Sequence, residues 1–309
     1  MTSSSANVVE SLLSSRARIG WGVPVATPRP SMTVLYEFGG GYPDPASFPY
    51  EGMVEATADM IQAEGAAAMT YGEPQGYRGL RELICHKYEL FEKMQADPEN
   101  IIVANGSGQA LALAFGAFID PGDAVIAEAP TFSGSLNTIR RHGPEILDVP
   151  VDDEGIVTTA VRERLAGLRR QGRRCKLIYT IVNFQNPAGP SQSLERRQEL
   201  IQLAHEYETV ILEDDAYGEL RFEGETLPPL YSLDSGGRVV RAGTLSKILG
   251  AGVRLGWLCA PKEMIPAFQG FLFGGGEDHI RLAFSYESPE KCYAGARLIG
   301  QAIVGARAR

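Results

Sequence analysis

Strand-like and helix-like segments alternate along the chain from about residue 100 to about residue 260. The run NIIVAN at 100–105 is apolar and β-branched, and GQALALAFGAF at 108–118 has the residue types and spacing of a buried helix. The run CKLIYTIV at 175–182 is continuously apolar, which is typical of a strand covered on both faces. This alternation predicts an α/β domain with three layers, α/β/α, and a mainly parallel sheet.

Further elements of the same kind are predicted along this stretch. A helix over 193–207 begins at Ser193, whose hydroxyl suits a cap, and Glu195 lies in its first turn. Strands are predicted at 124–130, 209–214, 238–243 and 253–261. Ligands of such sheets bind beyond the carboxyl ends of the strands, so the residues that follow each strand are the candidates for a functional site.

The bulk composition excludes several classes of protein. The net charge is −9, whereas nucleic-acid binders usually carry a basic face. No apolar run reaches the length of a membrane span, and the first residues lack the basic start and apolar core of a signal peptide. The four cysteines are far apart and form no CxxC pair, which indicates reduced thiols. A cytoplasmic protein with no nucleic-acid or membrane partner is therefore expected.

Three strand ends carry residues that suit parts of a small ligand. Residues 106–109 open directly into a helix, where small residues present free N–H groups and a partial positive charge that suit a phosphate. Phe132 follows the second strand and offers an aromatic face, and Asn186 before Pro187 offers a rigid carboxamide. Taken singly, each has an ordinary alternative: a tight connection, a core phenylalanine or a turn-forming asparagine.

Charged residues follow the two later strands. Asp214 and Asp215 end a buried strand, and adjacent carboxylates there need partners. A buried cation beside one of them is expected, with a metal pair as the alternative. Because no histidine stands nearby and the other strand ends carry no further carboxylates, no metal site is predicted. Lys247 follows the next strand, with Arg254 after it; the alternative there is a surface lysine in a glycine-rich loop.

Pyridoxal 5′-phosphate uses all of these groups together. It has a phosphate, a flat ring, a phenolic oxygen, a pyridine nitrogen and an aldehyde that condenses with lysine. A carboxylate beside the pyridine nitrogen keeps it protonated, so the ring can draw electrons from a carbanion. The lysine, once displaced by a substrate amine, can move the α-proton. The strand ends therefore predict a pyridoxal phosphate site around Lys247 and Asp214.

Five motifs occur in the order seen in fold-type I aminotransferases of class I/II, which the chain resembles. They are SGQAL at 107–111, NFQNPAG at 183–189, EDDAYGEL at 213–220, GTLSKILGAGVRLGW at 243–257 and HIRLAFS at 279–285. The resemblance runs from about Phe38 to about Gly300. It points to the branch of 2-aminoadipate and kynurenine aminotransferases, to which the effector domains of MocR-type regulators are also similar.

The resemblance implies a role for each matching residue. The implied catalytic residues are Lys247, which would form an aldimine with the cofactor, Asp214, which would pair with the pyridine nitrogen, and Tyr217. The residues implied to hold the cofactor are Ser107, Gly108, Gln109, Phe132, Asn186, Asp214, Tyr217, Ser246, Lys247 and Arg254. The residues implied to contact the substrate are Arg281, which would grip its α-carboxylate in a bidentate fork, Gly41 and Asn186. Tyr71 matches a tyrosine that reaches the phosphate of the neighbouring subunit, so a homodimer is implied.

The chain departs from the family pattern after RLGW. There the family continues through a long helix and a small domain, whereas this chain runs directly into the arginine motif. An internal deletion near residues 270–277, on the order of 100 residues, is predicted, with its join at Gly274–Gly276. A natural compact variant is the alternative. The expected domains are an N-terminal arm (1–35), a large pyridoxal phosphate domain (36–265) and a remnant of the small domain (266–309).

The function expected from these features is transfer of an amino group from an amino acid to a 2-oxo acid, with 2-oxoglutarate as the implied acceptor. A lyase or decarboxylase on the same scaffold is an alternative, because the same cofactor-holding residues would serve each of these reactions. A homologue that binds the cofactor but is catalytically impaired is another. A regulatory effector domain is disfavoured, because only about 30 residues precede the FGGGYPDP segment.

Overall fold

The computed structural model describes residues 10–18, 41 and 43–273, together with the single residues 291, 297 and 301. The chain divides into two units, Met1–Phe273 and Gly274–Arg309. The helices and strands whose bounds are described lie in the first unit, and none of the described helices is long and apolar enough to cross a membrane. The HIRLAFS motif at 279–285 and the join at Gly274–Gly276 lie outside the described residues.

Eight strands form one sheet. They are β1 (Ile101–Ala104), β2 (Ala124–Ala129), β3 (Glu145–Asp152), β4 (Gly155–Ile156), β5 (Cys175–Ile181), β6 (Val210–Asp215), β7 (Val239–Thr244) and β8 (Gly256–Cys259). Their order across the sheet is β1-β8-β7-β6-β5-β2-β3-β4. The central pairings β2–β3, β2–β5, β5–β6 and β6–β7 are parallel, which confirms the predicted mainly parallel sheet. The carboxyl ends of these strands therefore lie along one edge.

Helices cover the sheet. They are α1 (Ser15–Arg18), α2 (Tyr50–Glu64), α3 (Arg78–Glu92), α4 (Ser107–Phe118), α5 (Ser133–Arg141), α6 (Thr158–Arg170), α7 (Leu194–Glu206), α8 (Leu230–Leu233) and α9 (Ile265–Phe273). The predicted start of α7 is confirmed, because the Ser193 hydroxyl accepts a hydrogen bond from the Arg196 N–H at 3.3 Å.

Buried apolar residues on both faces of the sheet, grouped in three clusters, produce the predicted three layers. Neighbouring residues of β6 contribute to both, since side chains alternate along a strand. Leu212 packs in the core formed with Phe115 of α4, whereas Ile211 packs in the core formed with Leu165 of α6 and Leu200 of α7. The same alternation places the neighbouring residues Asp214 and Asp215, at the end of β6, on opposite faces of the sheet.

The last predicted strand differs from its expected form. A strand over 253–261 was expected within a mainly parallel sheet, but β8 spans only Gly256–Cys259 and runs antiparallel to β7 and β1. Only eleven residues connect β7 to β8, and a parallel crossover needs about a dozen or more. Arg254 adopts a left-handed conformation (φ 55°), which excludes it from the extended run.

Candidate active site

A cleft of about 890 Å³ opens at the carboxyl ends of the parallel strands. Ten of the predicted site residues line it: Gly41, Ser107, Gly108, Phe132, Asn186, Asp214, Tyr217, Ser246, Lys247 and Arg254. Gln109 and Tyr71 are not part of its lining, and Arg281 lies outside the described residues. The topology thus gathers residues that span more than half of the chain into one site.

Lys247 projects into this cleft from the segment that follows β7. It lies in a single wide turn, Ser246–Gly250, and is half-buried. Its Nζ donates a hydrogen bond to the carbonyl of Gly41 at 3.0 Å and lies 5.5 Å from the centre of the Tyr217 ring. The Thr244 hydroxyl accepts from the Ser246 N–H at 3.1 Å and donates to the Ser246 hydroxyl at 2.9 Å, which holds the turn. These hydrogen bonds hold Ser246, the first residue of the turn that carries the Lys247 amine.

Asp214 lies on the floor of the cleft with only 6% of its surface exposed. The Tyr179 hydroxyl donates to its Oδ2 at 2.6 Å. Burial raises the pKa of Asp214 to about 6, against the opposing effect of the Tyr179 hydrogen bond. Tyr179 was not among the predicted site residues; its one sequence signal is that it is the aromatic residue of the run CKLIYTIV at 175–182. The carboxyl group is thus fixed in position and available to a partner within the cleft.

Asp215 points to the opposite face of the sheet, as the alternation along β6 requires. The Arg241 guanidinium contacts its Oδ2 at 2.5 Å and the Glu92 carboxylate at 2.5 Å. The predicted buried cation is therefore Arg241, of which only 3% is exposed. In the described part of the chain, no group of three or more His, Cys, Asp and Glu side chains is arranged to hold a metal ion.

The N-terminus of α4 forms one end of the cleft. Gly106 (φ 81°) leads into Ser107, and a side chain at Gly256 would come within 2.4 Å of the Ser107 nitrogen, so this strand must approach without one. Arg254 lies against the same turn and donates to the Asn105 carbonyl at 3.0 Å. Free N–H groups beside an arginine suit a phosphate.

Gln109 uses its side chain to support this turn. Its Oε1 accepts from the Asn105 N–H at 2.6 Å, so the side chain is turned back onto the preceding loop. The backbone contact that was predicted for Gln109 remains a prediction.

Phe132, Asn186 and Tyr217 form the side walls of the cleft. Phe132 leaves 44% of its surface exposed, so a face of its ring is open to a ligand. The Asn186 amide donates to the Tyr217 hydroxyl at 3.3 Å, which brings two hydrogen-bonding groups to one point. Tyr71, by contrast, is 99% exposed and away from this cleft.

These groups fit pyridoxal 5′-phosphate. The helix terminus suits its phosphate, the Phe132 ring its flat face, the buried Asp214 carboxyl its ring nitrogen and the Lys247 amine its aldehyde. The Thr131 hydroxyl lines the same cleft and is a buried polar atom with no hydrogen-bond partner among the described residues, which is consistent with a site shaped for a polar ligand.

Comparisons with known proteins agree with this geometry. The chain is 38% identical to aromatic-amino-acid aminotransferase 1 of Thermococcus litoralis over 73% of its length and 54% of that protein. Its fold is similar to kynurenine aminotransferase of Pyrococcus horikoshii, solved with PMP (TM-score 0.71, 35% identity, 76% of this chain and 59% of that one). It is also similar to the α-aminoadipate aminotransferase LysN of Thermus thermophilus, solved with N-(5′-phosphopyridoxyl)-L-leucine (TM-score 0.69, 33% identity, 77% and 60%).

The chain spans a little more than half the length of the curated relatives it matches. The family model for aminotransferase class I and II matches residues 39–272, which contain every described residue of the cleft lining. Pyridoxal 5′-phosphate is the cofactor of that family. The chain belongs to the class I and II aminotransferases.

Proposed function

We propose that this chain binds pyridoxal 5′-phosphate in the cleft and moves an amino group from an amino acid to a 2-oxo acid, with 2-oxoglutarate as acceptor. The observation that carries the proposal is the convergence of the Lys247 amine and a buried carboxyl, Asp214, on one cleft with a helix N-terminus at its end. The names of the relatives support the reaction class.

The cofactor, when bound, supplies a carbonyl that condenses with amines and a ring that accepts electrons. Lys247 Nζ would provide the amine that holds it and would then move the proton at the substrate α-carbon. Asp214 would keep a proton on the ring nitrogen, because a carboxylate stabilises the adjacent cation. Ser107, Ser246 and Arg254 would hold the phosphate.

The first test is an absorbance titration of the purified protein with pyridoxal 5′-phosphate, followed by amino acids. The wild type is expected to give a cofactor band that shifts when glutamate or an aromatic amino acid is added and returns with 2-oxoglutarate. Lys247→Ala is expected to lose this shift, whereas Lys262→Ala, which changes an exposed lysine outside the cleft, should retain it.

Each other outcome identifies a different alternative. A lysine-dependent band that does not respond to amino acids indicates a cofactor-binding homologue with impaired catalysis. Release of carbon dioxide or ammonia without formation of a new amino acid indicates a lyase or decarboxylase. A wild type with no lysine-dependent band contradicts the proposal.

A homodimer is the expected assembly. Helix α2 has no buried residue, and its apolar side chains Tyr50, Val54 and Ile61 are exposed, as is the nearby Tyr71. An apolar helix face of this kind is expected to pack against a partner. Light scattering should therefore give twice the chain mass of 33.4 kDa, and Val54→Glu should reduce it to the monomer value.

Phe222→Glu is the control for this experiment, because Phe222 is exposed on a different segment. It should leave the dimer intact. A monomeric wild type, or equal dissociation of both variants, would exclude an interface through α2.

The proposed location is the cytoplasm. Cys85, Cys175 and Cys259 are free thiols in the described part of the chain, and reduced thiols are usual in that compartment.

A further inference from the structure

Two loops that contact the cleft leave neighbouring strands of the sheet. The strands β2 and β5 are parallel, with Ala127 opposite Tyr179, so their carboxyl ends lie side by side. The loop after β2 carries Phe132, and the loop after β5 carries Asn186. Both side chains line the cleft, and neither loop belongs to a helix or strand that would fix its shape.

The side chain of Gln185 joins the two loops. Its Nε2 donates to the carbonyl of Pro130 at 2.7 Å and to Glu128 Oε2 at 2.9 Å. Its Oε1 accepts from the Ala188 N–H at 2.8 Å. The buried Gln185 amide thus contacts Pro130, two positions before Phe132, and Ala188, two positions after Asn186.

Glu128, which lies on β2, accepts one of these hydrogen bonds and so ties Gln185 to the sheet. Its side chain is buried, and its Oε1 accepts from the Thr180 hydroxyl at 2.5 Å and the Ile181 N–H at 3.1 Å. Burial raises the pKa of Glu128 to about 7. No ion pair to this carboxyl is present in the described part of the chain. A buried carboxyl satisfied by hydrogen bonds alone is costly to retain, and here those bonds connect β5 to Gln185.

The chemistry of each contact is specific. Both carboxyl oxygens of Glu128 face donors: Gln185 Nε2 on one side, and Thr180 and Ile181 on the other. A glutamine in place of Glu128 would direct its own N–H groups at Gln185 Nε2 in one orientation of the amide and at the Ile181 N–H in the other. Gln185 must likewise donate to the Pro130 carbonyl and accept from the Ala188 N–H, so its orientation is also determined.

We propose that Glu128 and Gln185 are positioning residues that together hold Phe132 and Asn186 in the geometry required by the cofactor ring. This inference rests on the proposed function, because it requires pyridoxal 5′-phosphate in the cleft. Neither residue contacts the cleft itself. Their effect is on the ring end of the site and not on the phosphate end, since the loops they join are separate from the N-terminus of α4.

The experiment compares Gln185→Met with Gln192→Met. Gln192 is an equally buried glutamine at the far end of the same segment, but its side-chain amide has no hydrogen-bond partner among the described residues. Three quantities are measured: the Kd for pyridoxal 5′-phosphate, the induced circular dichroism of the bound cofactor at saturation, and the Ki of inorganic phosphate as a competitor.

Gln185→Met is expected to raise the Kd for pyridoxal 5′-phosphate about tenfold or more, since a small misplacement of positioning groups is costly. It should also reduce the induced circular dichroism of the fully bound cofactor, while the Ki of phosphate stays unchanged. Gln192→Met should match the wild type in all three. A purely structural role would weaken the phosphate and the cofactor together and would leave the dichroism at saturation unaltered.

Glu128→Met is the second variant, in case Gln185→Met does not fold. It removes both acceptor oxygens, and with them the link to Gln185, but keeps a side chain of similar size. Thr180→Val is its control, since that change removes one hydrogen bond to Glu128 without touching the loops. Equal Kd and dichroism in Glu128→Met and the wild type would overturn the inference. Absence of a lysine-dependent band in the wild type would instead defeat the proposed function, so the two failures are distinguishable.

Discussion

Replacing Arg241 with methionine is expected to lower the free energy of unfolding at neutral pH by about 3–5 kcal/mol, the usual effect of removing one partner from a buried ion pair. The guanidinium lies between the Asp215 and Glu92 carboxylates, each contacted at 2.5 Å, and all three side chains are almost fully buried. The substitution leaves Asp215 without its cation and leaves Glu92 with only the more distant Lys87 amine, at 3.8 Å. Methionine fills similar volume, so the loss reports charge and not a cavity.

The effect of Arg241→Met should depend on pH. Burial alone would raise the pKa of Asp215, but Arg241, the Asn183 amide and the Gly218 N–H together hold it below its ordinary value. In the wild type this interaction stabilises the folded state fully above the pKa that Asp215 has in the unfolded chain. The stabilisation is lost as the pH falls through the lower pKa that Asp215 has in the folded protein. In the variant the Asp215 carboxyl has lost its cation and protonates more readily, so the difference from the wild type should shrink as the pH is lowered from neutral towards 4.

Urea unfolding at several pH values measures both predictions. Arg174→Met is the control, because Arg174 and its partner Glu208 are exposed and such pairs contribute only about 0–1 kcal/mol. Equal destabilisation by the two substitutions at neutral pH would show that the buried Arg241 ion pairs contribute no more to the free energy of unfolding than an exposed pair.

Replacing Asp214 with asparagine is expected to stabilise the cofactor-free protein at pH 7.5 while it removes most of the activity. Its pKa rises from the ordinary 3.8 to about 6 because the carboxyl group is buried. A raised carboxyl pKa means that the folded state loses stability as the pH rises from the unfolded pKa to the folded one and stays at the lower level above it. Asparagine avoids this penalty, which is at most about 3 kcal/mol, and its oxygen can still accept from Tyr179.

The same substitution should lower kcat by about 10²–10³-fold or more, since a preorganised charge at the reacting centre is lost. Thermal unfolding of the apo protein between pH 4 and pH 8, followed by activity with saturating cofactor, checks both effects. The gain in Tm should shrink as the pH falls towards 4, because the folded carboxyl is then protonated and the unfolded one, with its ordinary pKa of 3.8, is partly protonated too. Asp153→Asn, on the exposed turn after β3, should change neither quantity. A lower apo Tm at pH 7.5 would refute the assigned environment of Asp214.

Local sequence patterns determined most of the elements near the site. The apolar runs at 101–104, 175–181 and 239–244 are strands, and the helix after Ser193 begins where its cap predicts. The residues that follow those strands could be assigned to one site before the strand order was known. The reason is that parallel strands in a single sheet end along one edge, whatever their order.

Other features depend on partners that are distant in the chain. Nothing in the residues around Arg241 indicates that Glu92, at the end of a helix early in the chain, faces it. The pairing of Glu128 with Gln185 likewise requires that β2 and β5 be neighbours, which their sequences do not specify. The antiparallel direction of β8 follows from the short connection before it, yet the strand pattern alone is the same for either direction.

The sequence by itself thus determined the alternation of elements, the α/β class and most of the residues that line the candidate site, because these depend on local periodicity and on residue type. Only the tertiary structure decided which carboxylate faces the cleft and which faces Arg241, and which buried side chains join the loops that carry Phe132 and Asn186. Those choices depend on strand order and register, which arise when segments far apart in the chain pack together.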